Sequence, residues 1–179
     1  MPKQQRWIGV ACVDWDNAAL VASQFYPEDV PAEWQLTYYA NYMMACVISP
    51  EKWQVASASV IADWCEQTQD NFWFYLLCET PEQIEAAQSC AQLFPNKLAG
   101  LLISQAMAND LIETDLVILR IGYEVFNYDY EQLRAAKPAL LTWIASEGAQ
   151  AHALVLMSAS SMHQLRDVQT LLELLGVGT

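Results

Sequence analysis

The stretch FYPEDVPAEWQLTYYA, from Phe25 to Ala40, joins an aromatic turn to a helix and the helix to the next strand. Pro31 occupies a typical first helical position, and the aromatic residues after it recur at spacings that share one helix face. This pattern predicts a helix from Pro31 to Asn41. Short apolar runs lie on either side, at Trp7–Val13 and Met43–Ile48, and predict buried strands. The chain therefore begins strand, helix, strand.

The same alternation continues to the end of the chain, which predicts about six strand-then-helix units. Helix starts follow three further strands: Ser49-Pro50, the capping pattern Thr80-Pro81-Glu82-Gln83, and Ser161 with Gln164. Another helix is expected from Asp129 to Glu147, bent at Pro138. The predicted strands are Trp7–Val13, Met43–Ile48, Asn71–Cys78, Leu98–Ser104, Leu116–Ile121 and Ala151–Met157.

Apolar strands that alternate with amphipathic helices predict a parallel sheet covered by helices, in one α/β domain over residues 1–179. The fold class is thus parallel β/α repeats, TIM-barrel-like but incomplete, or alternatively an open doubly wound three-layer sheet. The periodicity of the sequence does not distinguish the barrel-like fold from the open sheet. No G-x-G-x-x-G follows the first strand and no G-x-x-x-x-G-K occurs, so a phosphate-cradling loop is not indicated.

The chain is acidic, with 8 basic and 21 acidic residues and a net charge of -13. Phosphate backbones and anionic membrane surfaces are repelled by such a charge, so nucleic acid and membrane are not expected as partners. Hydrophobic residues make up 54% of the chain, which predicts that a partner covers some apolar surface. The expected partner is a second copy of the chain, in a homodimer.

The five cysteines are widely spaced and include no C-x-x-C pair. They are interpreted as small buried hydrophobes in a reducing compartment. The sequence begins without a signal-peptide pattern and has no membrane-length apolar run, so a cytoplasmic location is expected. His152 and His163 have no partners at metal-ligand spacing, and no metal or cofactor is expected.

Both ends of the chain are similar to the YecE-like family, a domain of unknown function with a TIM-like barrel. The resemblance rests on the strand from Ile8 to Trp15, on FYPEDVPAEWQLTYYA, and on DLVILRIGYEVFNYDYEQL at Asp115–Leu133. The terminal RDVQTLLELLG at Arg166–Gly176 adds to it. The resemblance implies a barrel ancestry, although an eight-unit barrel typically needs about 250 residues. Two units are therefore expected to be missing, where Gln105–Thr114 is too short to hold them.

The polar residues that the family carries at strand ends are largely replaced in this chain. Cys46-Val47-Ile48-Ser49-Pro50 stands where the family has a glutamate–asparagine motif, Leu77-Cys78 where a lysine is expected, and Ser158-Ala159-Ser160 where paired asparagines are expected. Gln105 and Arg120 sit where the family has similar residues. The resemblance therefore implies the lineage of the chain but not a working catalytic site.

Sites of parallel α/β folds lie at the carboxyl ends of the strands. Two of the carboxylates Asp14, Asp16 and Glu79 could serve as an acid–base pair, but acids at such positions are also common in turns and first helical turns. Arg120 could anchor an anionic ligand, or form a structural ion pair with Glu79 or Asp14. The candidate pocket comprises Asp14, Ser49, Glu79, Gln105, Arg120, Tyr123 and Ser158.

The leading hypothesis is a shortened, non-catalytic relative of the YecE-like barrels that acts as a binding or interaction protein, with a small polar or anionic ligand. The alternative is a small-molecule enzyme, hydrolase or isomerase-like, that uses a pocket at the carboxyl ends of the strands. The two differ in whether that pocket is open, polar and convergent or is filled by aromatic side chains.

Overall fold

The computed structural model describes residues 7–104, 107, 114–122, 124–128, 133–146, 152–157 and 161–177. Seven strands lie within these residues, one more than the sequence predicts. The additional strand is β6, which follows a turn at Gly122 where the sequence indicated only the end of a strand. The strands are β1 Trp7–Cys12, β2 Ala45–Ile48, β3 Trp73–Cys78, β4 Leu98–Ile103, β5 Ile118–Arg120, β6 Val125–Tyr128 and β7 His152–Met157.

The described helices follow β1, β2, β3, β6 and β7, and the predicted helices appear in the order that the sequence predicts. A short helix at Ala18–Ala22, in a segment for which the sequence made no prediction, precedes the expected ones. The helix predicted from Pro31 is a 3₁₀ turn, Ala32–Trp34, that leads into an α-helix, with Pro31 at the cap position. The α-helices are α1 Ala18–Ala22, α2 Gln35–Ala40, α3 Pro50–Trp53, α4 Ala58–Glu66, α5 Pro81–Ala91, α6 Leu133–Ala145 and α7 Met162–Leu174.

The strands follow one another around a ring. One parallel sheet has the order β1-β7-β6 and the other has the order β2-β3-β4-β5. Single parallel bridges, Val13 with Val47 and Ile121 with Val125, join β1 to β2 and β5 to β6. Each strand thus lies beside its sequence neighbours and β7 closes on β1, which is the order of a β/α barrel. The predicted class, parallel β/α repeats resembling an incomplete TIM barrel, is confirmed.

The connection between β5 and β6 is unusually short. Parallel neighbours ordinarily need a crossover of a dozen or more residues, whereas one helical turn separates Arg120 from Val125. The Glu124 amide donates to the Arg120 carbonyl at 3.1 Å, and the Gly122 amide donates to the Val125 carbonyl at 2.8 Å. Because β6 begins where β5 ends, the two strands overlap at a single bridge. Of the six connections between the seven described strands, only five are therefore longer than a single turn.

Two apolar layers alternate along the strands, as period-two side chains require. The inner layer fills the ring and the outer layer packs the strands against the helices. Tyr75 is the largest fully buried side chain of the inner layer, and small residues surround it on neighbouring strands. The inner layer comprises Ala11, Ala45, Val47, Tyr75, Leu102, Leu119, Val125 and Leu156, with Val13, Trp73, Leu77, Ala99 and Ile121 packed against them. The ring is thus a packed core, not a pore.

Tyr39 joins β1 to β2 where their ladder is interrupted. The Asp14 amide donates to the Val47 carbonyl at 2.7 Å, but the preceding acceptor on the same side of β2, the Ala45 carbonyl, accepts instead from the Tyr39 hydroxyl at 2.9 Å. The same hydroxyl accepts from the Cys12 amide at 3.1 Å, and Tyr39 is completely buried. One phenol therefore relays the hydrogen bond that the two backbones would otherwise make directly.

The rest of the Phe25–Ala40 stretch folds onto Tyr39 as an aromatic cluster. The Phe25 ring is 4.8 Å from that of Tyr26, 5.8 Å from Tyr38 and 6.0 Å from Tyr39, measured between centroids. Tyr26 is buried and donates its hydroxyl to the Trp15 carbonyl after β1. Trp34 does not share this role: its side chain is 66% exposed, although its spacing in the sequence places it on one helix face with the tyrosines. It lies in the 3₁₀ turn, before the buried face of α2 begins.

Gly100 allows β4 and the segment before β5 to approach closely. A β-carbon at this position would lie 2.4 Å from the Val117 carbonyl oxygen, closer than real contacts allow. That carbonyl accepts from the Leu101 amide at 2.8 Å, and the register of β4 shifts beside it. The glycine is required by the backbone contact that starts the β4–β5 pairing.

Candidate functional site

A cavity of about 660 Å³ lies at the carboxyl ends of β1, β6 and β7. Its position matches the face on which parallel β/α folds carry their sites. The walls are mainly aliphatic, with a few polar groups at the rim. Its lining comprises Val13, Asp14, Asn17, Ala18, Ala19, Asn127, Tyr128, Leu156 and Met157. We call this the mouth cavity.

Asp14 stands at the rim in a left-handed backbone conformation, with φ of 53°. Its Oδ1 accepts from the Ser49 amide at 3.0 Å, which places the carboxylate at the start of α3. The other carboxylate oxygen makes no hydrogen bond to the described residues. A half-buried carboxylate with one oxygen used and one left over is a fixed acceptor at the cavity edge.

Asn17 holds the loop that carries Asp14. Its side-chain amide donates to the carbonyls of Val13 and Asp14, both at 2.8 Å, and its Oδ1 accepts from the Leu20 amide at 2.9 Å as the cap of α1. These bonds fix the turn in place. Asn17 is thus a positioning residue. Asn127, across the cavity on β6, is exposed and makes no side-chain hydrogen bond to the described residues.

Tryptophans cover the neighbouring strand ends. The Trp53 indole donates to the Leu77 carbonyl at 2.9 Å, and Trp53 is 2% exposed at the end of β3. The Trp15 and Trp64 rings meet edge to face with centroids 5.3 Å apart. Lys52 Nζ lies 4.3 Å from the Trp15 ring centroid and 2.5 Å from Asp16 Oδ1. On this side, aromatic side chains pack over the described strand ends.

Arg120 forms an ion pair with Glu124. Its guanidinium donates to both carboxylate oxygens, at 3.0 and 2.5 Å, and its backbone amide donates to Glu124 Oε2 at 2.9 Å. Burial raises the pKa of Glu124, but the hydrogen bonds and charge of Arg120 outweigh it, so the pKa lies below its usual value. The predicted structural ion pair is present. The predicted partners, Glu79 and Asp14, were wrong, because the short β5–β6 turn brings Glu124 back against Arg120.

The cysteine thiols are free, and four of the five are buried. Burial raises the pKa of Cys12 to about 12, and it raises the pKa of Cys46 well above its usual value. A buried thiol with a raised pKa is protonated at neutral pH and is a poor nucleophile. The predicted role as small apolar core residues is confirmed for Cys12, Cys46, Cys65 and Cys78, whereas Cys90 is half-buried.

The structure brings only part of the predicted pocket together. Asp14 lines the mouth cavity, and the Ser49 backbone amide donates to the Asp14 carboxylate. Glu79 is exposed at the capping turn of α5, where its amide donates to Gln83 Oε1 at 2.6 Å. Neither Glu79 nor Arg120 lines the mouth cavity. Three further predicted residues lie outside the described residues: Gln105, Tyr123 and Ser158.

Sequence reasoning missed Asn127, Tyr128 and Glu124. All three follow from β6 and its turn, which the sequence analysis did not recognise as a strand. The signal was present in Val125–Tyr128, where Val125 and Asn127 alternate with aromatic residues.

A second cavity, of about 270 Å³, lies at the opposite end of the strands, between the start of β1, the end of α2 and the end of α7. Gln169 donates there to the Tyr42 carbonyl at 2.9 Å, which ties α7 to the chain before β2. The amino-terminal face of such barrels serves stability. We therefore place the candidate site at the mouth cavity.

None of the helices in the described part of the chain has the length and apolarity that a membrane span requires. No curated protein and no solved structure shows significant similarity to the chain. A family model described as "Protein of unknown function DUF72" matches residues 8–81, from β1 to the start of α5. The first three strands, including Asp14 and the Phe25–Ala40 stretch, are therefore similar to a family of unknown function.

Proposed function

We propose that this chain is a shortened YecE-like barrel without catalytic activity, which binds a small polar ligand in the mouth cavity. The observation that supports this proposal is that most polar groups at the described strand ends are already bonded to other protein groups. Arg120 is bonded to Glu124, and Asn17 caps α1. Trp53 covers the end of β3. Among the described strand ends this leaves the mouth cavity, with the Asp14 carboxylate as a fixed acceptor at its rim.

The geometry of the described residues does not supply an acid–base pair. General acid–base hydrolysis of a glycoside needs two carboxyl groups that flank one bond. Asp14 lines the mouth cavity, whereas Asp16 is paired with Lys52 and Glu79 lies at the exposed start of α5. A single carboxylate beside aliphatic walls favours binding over turnover.

A filled cavity tests the proposal. Ala18 is exposed at the start of α1 and lines the mouth cavity, so Ala18→Trp fills it from the surface. Ala22→Trp is the matched control, at the exposed end of the same helix and outside the cavity lining. In a thermal-shift panel of sugars, polyols, amines, amino acids and carboxylates, at least one class should stabilise wild type and the control but not Ala18→Trp. Equal stabilisation of both variants, or of none of the three proteins, contradicts the proposal.

The enzyme alternative rests on the unused oxygen of Asp14, which could act as a general base. The ligand found in the thermal-shift panel is incubated with wild type and with Asp14→Asn, and its NMR spectrum is followed. We expect the ligand to be recovered unchanged from both. Conversion by wild type alone would support the enzyme and refute the non-catalytic assignment.

Self-association is the second part of the proposal. β5 pairs with β4 along one edge, but its other edge meets β6 at a single bridge only. Among the described residues no strand lies beside the rest of that edge, and Val117, which precedes β5, is 56% exposed. Strand edges of this kind pair readily with another copy. Sedimentation equilibrium should show a dimer that Val117→Lys weakens, with Val55→Lys, at an 82% exposed site, as control. A monomer at all concentrations refutes this part.

The free thiols accord with a reducing, cytoplasmic setting.

A further inference from the structure

We infer that the mouth cavity selects a small organic ammonium ion, with its charge held by Asp14 and its apolar body against the aliphatic walls. The inference rests on the proposed function, since it names the class of ligand for the same cavity. It differs from the polar or anionic ligand that the sequence suggested, because the cation expected to attract an anion is bonded elsewhere.

The sign of the charge follows from the lining. Among the described residues of the lining, Asp14 alone carries a formal charge at neutral pH. The surrounding protein has a net charge of -13, and the Arg120 guanidinium is bonded to Glu124 outside the lining. An anion in the cavity would face Asp14 with no cation among the described lining residues to compensate it, whereas a cation is attracted by both the local carboxylate and the overall field.

The geometry of Asp14 leaves room for one further donor. Oδ1 takes the Ser49 amide at 3.0 Å, and the remaining oxygen is not bonded to the described residues. The hydrogen bonds of Asn17 to the carbonyls of Val13 and Asp14 hold this carboxylate in place before any ligand arrives. A ligand N⁺–H would complete the set with a charge-assisted hydrogen bond to a pre-organised acceptor.

The walls specify the rest of the ligand. Val13, Leu156 and Met157 line the cavity, and Leu156 and Met157 are almost fully buried. Such walls bind apolar groups and supply no partner for a second charge or for several hydroxyls. Asn127 offers one amide at the opposite rim. The ligand is therefore a monocation with an apolar body rather than a sugar, a polyol or an amino acid.

Three probes of one shape test this selection: benzylammonium, benzyl alcohol and benzoate. Binding is followed by the methyl NMR signal of Met157, one of 6 methionines in the chain, with ring-current shifts from the probe. We expect saturable binding of benzylammonium at least about tenfold tighter than that of benzyl alcohol, and benzoate weaker than both. Added salt should weaken the binding of benzylammonium and leave the binding of benzyl alcohol unchanged.

Asp14→Asn is the discriminating variant. Asparagine keeps an oxygen for the Ser49 amide and tolerates the left-handed conformation, so the variant removes the charge and little else. Asp16→Asn removes the same charge from an exposed neighbour that is paired with Lys52 and does not line the cavity. The ammonium preference should vanish in Asp14→Asn and persist in Asp16→Asn.

The outcomes separate the two claims. If ammonium and alcohol bind equally, or if the preference survives Asp14→Asn, the ammonium inference is overturned while binding at the mouth cavity stands. If no probe shifts the Met157 signal, the ammonium inference is overturned too, and the Ala18→Trp panel decides independently whether the cavity binds other ligands.

Discussion

Replacing Tyr39 by phenylalanine removes one oxygen from the junction between β1 and β2. The ring and its packing against Phe25 and Phe72 stay, because the change leaves the aromatic shape intact. Two buried backbone groups lose their partner: the Cys12 amide, which donates to the hydroxyl at 3.1 Å, and the Ala45 carbonyl, which accepts from it at 2.9 Å. Nothing else in the change alters the fold.

The expected cost follows from these two orphaned groups. A buried donor or acceptor without a partner costs on the order of 1–3 kcal/mol. Cys12 and Ala45 are both buried, so water does not replace the hydroxyl without opening the junction. We expect Tyr39→Phe to lower the free energy of unfolding by about 2–4 kcal/mol, which for a chain of this size lowers Tm by roughly 5–15 °C.

Thermal unfolding followed by circular dichroism measures this loss, and amide hydrogen exchange locates it. The Cys12 amide should exchange much faster in the variant, while amides in β3 and β4 change only with global stability. Tyr38→Phe is the matched control, since Tyr38 lies next to Tyr39 on α2 and is half-buried. It should change the free energy of unfolding by less than about 1 kcal/mol. A Tyr39→Phe variant within about 0.5 kcal/mol of wild type would refute the relay.

Further substitutions test the β4–β5–β6 region. Gly100→Ala should destabilise the fold by about 2 kcal/mol or more in denaturant titrations, because its β-carbon would lie 2.4 Å from the Val117 oxygen. Gly176→Ala, which meets no neighbouring atom, should cost only the strain of a φ of 69°, about 1 kcal/mol. Arg120→Met should cost about 3–5 kcal/mol by leaving the Glu124 carboxylate buried and unpaired, and Glu124→Gln added to it should recover part of the loss. Since the folded pKa of Glu124 lies below its unfolded value of about 4.3, its contribution to stability is complete above that pH and is lost as pH falls through the folded pKa. Acid titration of the unfolding free energy should therefore be shallower in Glu124→Gln, and an unchanged slope would contradict the pairing.

The strands and helix starts were largely predictable because they depend on local pattern. Continuous apolar runs marked the buried strands, and the Ser161–Gln164 capping box is present, with the Ser161 amide donating to Gln164 Oε1 at 2.8 Å. β6 was not predicted because its four residues follow β5 after a single turn, whereas a parallel neighbouring strand is expected only after a long crossover.

The candidate site was predicted only in part. Asp14 was found because turn carboxylates at the end of a first strand are visible in any α/β sequence. Its neighbours across the cavity, Asn127 and Tyr128, come from β6, which is about 110 residues further along the chain. The partner of Arg120 was missed for the same reason, since only the folded turn places Glu124 beneath it.

Sequence alone determined the alternation of strands and helices, the acidic surface and the buried character of the thiols, because composition and short-range periodicity encode these properties. It also singled out the Phe25–Ala40 stretch. Only the tertiary structure decided that the strands follow a ring, that the Tyr39 hydroxyl links β1 to β2, and that the mouth cavity gathers Asp14 with residues of β6 and β7. Register and closure depend on contacts between residues far apart in the chain, and local pattern carries no information about them.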